Sequence, residues 1–455
     1  MDVLLLSRIQ FAVNIGFHYI YPPLSIGLGL LLVIMEGMYL KTKNPFYKQM
    51  TKFWVKIFAL TFAIGVATGL VQLFAFGTNW ARYSRFVGDV FGSALAAEGV
   101  FAFFLEAGFL GLMLFGWDRV KPGVHYLATI CVALGAHFSA LWIVIANSWM
   151  QTPAGYKIIG EGAHARAVVT DFWAMLFNPS SIDRVVHVII GCWLAGIFLV
   201  ISVAAYYMLK RKHKQFTHVT MKIGLIAAAI ALVLQLISAD SSAEIVAEYQ
   251  PAKLAAMEGV YKTKPSTPMT LIGWVDKESR TVKGIQVPGL LSFLTHSDFE
   301  TPVTGLDQFL EEDWPNVPIV FQAYHLMIYM WCAMVLVTLL GIYYFWKKKL
   351  EKRRWVLWAL IFSVLFPQVA NQVGWMTAEM GRQPWIVQGL MRTSQGTSTT
   401  IHAGQVVGSL TMFIAIYILL FILFIVLLDK KIKIGPSEEG NGLVYRNVYK
   451  MEDET

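Results

Sequence analysis

Seven side chains in this sequence can bind iron, carry protons or offset charge, and all lie in or beside long apolar runs: His18, Glu98, Glu106, His187, Met327, Glu379 and Arg382. Ionisable groups at membrane depth are costly and mark functional sites. Taken singly, a histidine in an apolar run reads as a hydrogen-bonded core residue and a methionine as gap filler. Taken jointly, two histidines, a methionine and several carboxylates in one half of a bundle match what porphyrin iron accepts: imidazole, thioether and anionic oxygen. Glu98 and Glu106 are eight residues apart. On a continuous helix that is a turn of about 80° and a rise of about 12 Å, so the two share a side. His137 has no such companion and reads as a core histidine.

A second constellation lies in a polar stretch. Residues 249–258 read YQPAKLAAME, with Lys253 and Glu258 five apart. On a helix they diverge by about 140°, which disfavours a simple ion pair within the helix. A carboxylate that accepts a proton and a cation that polarises an oxygen suit oxidation of a hydroxyaromatic donor. The plainer alternative is a solvated charged loop.

The elements that must position these groups follow from composition. The 455 residues are 56% hydrophobic and 15% charged, with a mean hydropathy of +0.56. A soluble domain carries about 25% charged residues, so the reading is an all-α, polytopic transmembrane bundle. Nine apolar spans are expected, at about 10–40, 53–76, 91–116, 125–147, 185–209, 219–239, 319–345, 355–375 and 402–428. Alternate connections are basic: Lys41 to Lys52, Lys210 to Lys214, Lys347 to Arg354, and Lys430 to Lys433. The positive-inside rule puts these in the cytoplasm, with the N-terminus outside and the C-terminus inside. This also accounts for the +8 charge without nucleic acid. The expected organisation is spans one to six over 1–239, an extracytoplasmic loop over 240–318, spans seven to nine over 319–428, and a cytoplasmic tail over 429–455. The loop holds twelve acidic against six basic residues, too many for lipid. Cys131, Cys192 and Cys332 lie in apolar runs without a CxxC pair, which argues against disulfides, thiolate metal sites and covalently attached haem. The start, MDVLLLSRIQF, lacks a basic leader and a cleavage site and reads as the lead-in to the first span.

Several stretches resemble the cytochrome bd oxidase family, subunit I: GWMTAEMGRQPW at 374–385, FGTNW at 76–80, AAEGVFAFFLEAGFLGLMLFGWDR at 96–119, LSRIQFA at 6–12, MTKFW at 50–54, SALWIVIANSWMQ at 139–151, YQPAKLAAMEG at 249–259 and TPVTGL at 301–306. The similarity covers nearly the whole chain. It implies a quinol:oxygen oxidoreductase of the bacterial plasma membrane that reduces dioxygen to water and builds a proton gradient without pumping. By resemblance, His187 and Met327 are the axial ligands of a low-spin haem b. His18 and Glu379 each bind one of two high-spin haems, a haem b and either haem d or a further haem b, with Glu98 a ligand or near-ligand there. Glu106 conducts protons or compensates charge, Trp375 and Arg382 contact the haems, and Lys253 and Glu258 serve quinol oxidation in the loop, termed the Q-loop. The resemblance also implies a second large transmembrane subunit and a small single-span one.

Three departures stand out. His325 occupies a place where many relatives have arginine, which implies a lower potential for the low-spin haem; its two-residue offset turns it about 160° from Met327. The loop is of the short class. GRQPWIVQGLMRT at 381–393 is closer to the cyanide-insensitive branch. Two rival readings are a proton-coupled transporter, which predicts inverted repeats that are not seen, and a b-type electron-transfer subunit without oxygen chemistry. No histidine cluster of the kind copper–haem oxidases require is present.

Overall fold

Pro22 and Pro23 lack the amide hydrogen that an interior helical residue donates, and they divide the first apolar run. In the computed structural model, which describes residues 2–99 and 104–436, α1 (Val3–His18) and α2 (Tyr21–Thr42) meet at Tyr19–Ile20. The single span expected over 10–40 is therefore two helices, and His18 ends the first instead of lying within one. α3 (Pro45–Thr78) returns beside them, and α4 (Ala81–Phe86) leads to α5 (Gly88–Ala97), α6 (Phe104–Phe115) and α7 (Pro122–Gln151). A hairpin of β1 (Tyr156–Ile159) and β2 (Arg166–Val169) and the short α8 (Phe172–Leu176) precede α9 (Ser181–Lys210) and α10 (Lys214–Tyr249).

The sixth helix outruns its expected end at residue 239 by ten residues. Polarity ends the apolar run there, but ADSSAEIVAEY still forms helix until Pro251 keeps the residue before it, Gln250, out of the helical conformation. The loop then folds as α11 (Pro251–Glu258), an antiparallel hairpin of β3 (Met269–Asp276) and β4 (Thr281–Val287), and α12 (Leu290–His296). α13 (Val317–Trp346) follows. The eighth span is broken into α14 (Arg354–Phe362) and α15 (Leu365–Met380). Pro367 causes the break, since its ring clashes with the carbonyl four residues back, at Ser363. β5 (Trp385–Val387), β6 (Met391–Arg392) and α16 (Thr393–Gly396) lead to α17 (Ala403–Ile434).

Among the described residues, eight helical stretches are long and apolar enough to cross a bilayer, with α1–α2 and α14–α15 each forming one. The remaining expected span corresponds to α5 and α6, which flank residues 100–103, outside the described residues. Its ends lie at opposite ends of α3. Asp89 accepts from the Val169 amide (2.8 Å) just after α4, which follows the α3 C-terminus, whereas Asp118 pairs with Lys48 (2.9 Å) in the first turn of α3. The direction of the last helix requires the same crossing. Gln10 donates to Ser409 (2.9 Å) and Phe17 stacks on Tyr417 with centroids 4.3 Å apart, so α1 and α17 run parallel. Parallel first and last spans need an odd number of crossings between them, and the α5–α6 segment supplies the seventh.

The bundle core is closed where α2 meets α9. A Cβ on Gly27 would come within 2.7 Å of the Gly196 amide nitrogen, and one on Gly196 within 2.4 Å of the Gly27 carbonyl carbon. Only glycine at both positions lets the backbones touch, the usual way apolar helices gain packing contact in lipid.

Candidate functional site

His18, the last residue of α1, presents Nδ1 to Thr68 Oγ1 at 3.0 Å. Thr68 in turn donates to the Ile64 carbonyl at 2.9 Å, so its oxygen accepts from the ring. This fixes the tautomer with Nε2 as the nitrogen available to iron, the arrangement common to metal-binding histidines.

His187, on α9, is met by the Gln235 side-chain nitrogen at 2.9 Å, with Ser238 Oγ at 3.4 Å. Met327, on α13, lies against α15: a Cβ on Gly374 would be 3.1 Å from its sulfur. One turn away on α15, Asn371 donates to the Gly191 carbonyl of α9 at 3.3 Å. The α9 backbone, one turn from His187, and the Met327 thioether thus meet α15 at residues 371 and 374. His325 does not compete with Met327. Its two ring nitrogens face the Phe321 and Thr270 carbonyl oxygens, each at 2.9 Å, which commits the ring to holding β3 against α13.

The end of α15 carries the densest polar network. Glu379 is ion-paired with Arg382 and accepts from Asn147 Nδ2 at 2.9 Å and Gln151 Nε2 at 3.3 Å. Arg184 donates to Asn147 and lies 5.8 Å from the Trp375 ring, whose edge meets Tyr19 at 5.6 Å. Lys253 belongs to the same network. It is 3% exposed and donates to Gln151 and, at 2.7 Å, to Gln250. Burial, reinforced by the charges of Arg184 and Arg382, holds its ammonium well below the usual lysine range.

Glu258, at the other end of α11, points elsewhere. It faces Tyr324 of α13, and its Oε2 has no hydrogen-bond partner among the described residues. Burial pushes its carboxyl up to about 7, with the Tyr324 hydroxyl working against the shift. The divergence of Lys253 and Glu258 expected from their spacing is borne out: the structure does not bring the two together, and each meets a different part of the membrane bundle.

Glu98 caps α5 and accepts from Ser139 of α7 at 2.8 Å. Glu106, buried in the first turn of α6, follows residues 100–103, so the continuous helix assumed for the pair falls partly outside the described residues. His137 is a satisfied core histidine, bonded to the Ala133 carbonyl (2.7 Å) and the Trp193 indole (2.8 Å).

Haem fits these residues on two counts. The donor set combines imidazole, thioether and carboxylate. Buried guanidinium donors, Arg184 Nε and Arg382 Nη1, also lack partners among the described residues and would suit the anionic side chains of a porphyrin. Sequence reasoning missed Asn147, Gln151, Arg184, Gln235 and Tyr324. Their signal was present, since amides and a guanidinium within or at the ends of apolar spans need internal partners.

The sequence profile of the family described as cytochrome bd terminal oxidase subunit I matches residues 6–436. The chain is 38% identical to the cytochrome bd ubiquinol oxidase subunit 1 of Bacillus subtilis, covering 97% of this chain and 96% of that protein. It is 33% identical to the cytochrome bd-II ubiquinol oxidase subunit 1 of Escherichia coli, covering 96% and 97%. The solved structure of bd oxidase from Geobacillus thermodenitrificans superposes with a TM-score of 0.86 at 30% identity, over 96% of this chain and 99% of that one.

Proposed function

Because the chain belongs to the cytochrome bd terminal oxidase subunit I family, and so is the quinol-oxidase subunit of a haem enzyme in the bacterial plasma membrane with a partner subunit, we propose that it oxidises quinol at the Q-loop and reduces dioxygen to water. His187 and Met327 would hold a low-spin haem b. His18 and Glu379 would each hold a high-spin haem, one a haem b and the other haem d or a further haem b, with Glu98 beside them. Bound haem iron would supply one-electron steps and the reduction of dioxygen.

The observation that carries this reading is the wiring of Lys253 into the Glu379–Arg382 network through Gln151. In its protonated form a loop lysine bound in this way keeps one of three N–H donors for a quinol oxygen, whereas the neutral amine spends both of its donors on Gln151 and Gln250. Glu258, poised near neutrality, would accept a quinol proton. Trp375 and Arg382 would pack and balance the haems. With the basic connections inside and the Q-loop outside, quinol protons leave on the outer side. Protons for water would rise from the inner side past Glu106 and Glu98, so charge separates without a pump. A small single-span subunit would complete the assembly beside the second large one. The test is a reduced-minus-oxidised spectrum with pyridine haem analysis of the purified complex, alongside quinol-driven oxygen uptake. Three haems and uptake are expected; a folded, colourless, iron-free preparation would end the proposal.

A further inference from the structure

Asn14 and Gln72 are buried amides, 0% and 8% exposed, whose side-chain oxygens and nitrogens all lack hydrogen-bond partners among the described residues. Leaving one amide unbonded in an apolar interior costs several kcal/mol, so two together call for a ligand. Their location says which. α1 and α3 run antiparallel, with His18 bonded to Thr68, Phe11 against Phe76 at 5.8 Å, and Gln10 bonded to Asn79. That register sets Asn14 and Gln72 at opposite positions on the two helices, one turn from the His18–Thr68 pair. One turn further along α1, Gln10 lines a cavity of about 250 Å³ with Thr78, Asn79, Gln405 and Ser409, where α1, α3 and α17 meet.

We propose that Asn14 and Gln72 hold ordered water in a file that joins this cavity to the His18 site and releases product water toward the loop end of the bundle. Gln10 to His18 spans about 12 Å along the helix, room for about four waters at hydrogen-bonded spacing. Each buried water needs two to four polar partners, and the two amides offer every donor and acceptor they have. Both side chains are neutral, which suits water better than a porphyrin carboxylate, for which a cation is the usual partner. The polar groups that recur toward the cavity, Asn14 and Gln72 and then Gln10 and Asn79, have a use for water and none for a ring substituent.

The inference rests on His18 binding a high-spin haem, and the test separates the two. The assembled oxidase is diluted into deuterated buffer and freeze-quenched, and deuterium coupling to the high-spin ferric signal is read by pulsed EPR. Exchange within the mixing time is expected for the wild type, slowed at least tenfold in Asn14→Leu/Gln72→Leu and largely restored in Asn14→Ser/Gln72→Ser. Unchanged exchange in the leucine variant overturns the water file, and so does a shifted haem spectrum with normal exchange, which would put the amides on the porphyrin instead. Absence of any high-spin signal in the wild type, or a high-spin signal in His18→Ala that is undiminished rather than reduced to the contribution of the Glu379 haem, would instead count against the haem assignment. If the leucine variant fails to assemble, a high-resolution map of the wild-type complex decides: water density between Asn14 and Gln72 supports the file, and a dry gap overturns it.

Discussion

Gln151 joins Lys253 to Glu379: its side-chain oxygen accepts from the lysine, and its nitrogen lies 3.3 Å from Glu379 Oε1. One amide therefore links the loop helix α11 to the end of α15. Replacing it by leucine strands two buried polar partners, the costly way to remove a hydrogen bond. Gln151→Leu is expected to lower quinol-driven oxygen uptake about tenfold, equivalent to about 1.4 kcal/mol, and to shift high-spin haem absorption as well. A variant that changed only one of these readouts would refute the link.

Glu258 predicts a pH profile. With its carboxyl raised to about 7 by burial, the carboxylate that can accept a proton gains population as pH rises through 7. Quinol oxidation should therefore climb with pH across that region. Glu258→Gln should remove the rising limb and cut the rate about 100-fold, the scale of general-base catalysis. Oxygen consumption from an artificial donor that bypasses the loop should persist. If donor-driven and quinol-driven rates fell together, the loop assignment fails.

Met327→Leu tests the thioether. Leucine has similar volume and no ligating atom, so the low-spin haem b spectrum should vanish while the reduced protein still binds carbon monoxide at the high-spin haems. An unaltered low-spin spectrum rejects Met327 as a ligand.

Gly374→Val approaches the same site from the facing helix. Its new Cβ would fall 3.1 Å from the Met327 sulfur, tighter than a comfortable contact, and the two methyl groups add further crowding. The expected result is a partial low-spin to high-spin conversion in the EPR spectrum, with helix content unchanged by circular dichroism. A fully low-spin signal would mean that α13 yields without moving the sulfur.

Much of the bundle is readable from hydropathy because lipid forces every crossing to be a long apolar helix. The α3, α7, α9 and α13 helices each contain the run expected for them. What hydropathy does not encode is backbone interruption inside an apolar run. Pro22–Pro23 and Pro367 break two spans that hydropathy reads as continuous, and ADSSAEIVAEY extends a helix that is no longer apolar. The site divides in the same way. His18, His187, Met327 and Glu379 are legible because such groups are rare at that depth. The partners that orient them, Thr68, Gln235, Asn147 and Gln151, are neutral and common, and only three-dimensional pairing reveals their role. Lys253 shows the limit most clearly: its spacing argued against a pair with Glu258, yet nothing in the sequence named Gln151 as the partner that folding supplies.

The side-by-side seating of α1 on α17 also sets an order of events during synthesis. The wall beside His18 is completed by a helix far along the chain, α17, through Ser409 and Tyr417. Until that segment inserts, the flank of α1 stays open to the lipid. A group held at His18 would therefore be walled in on this side only once α17 is in place.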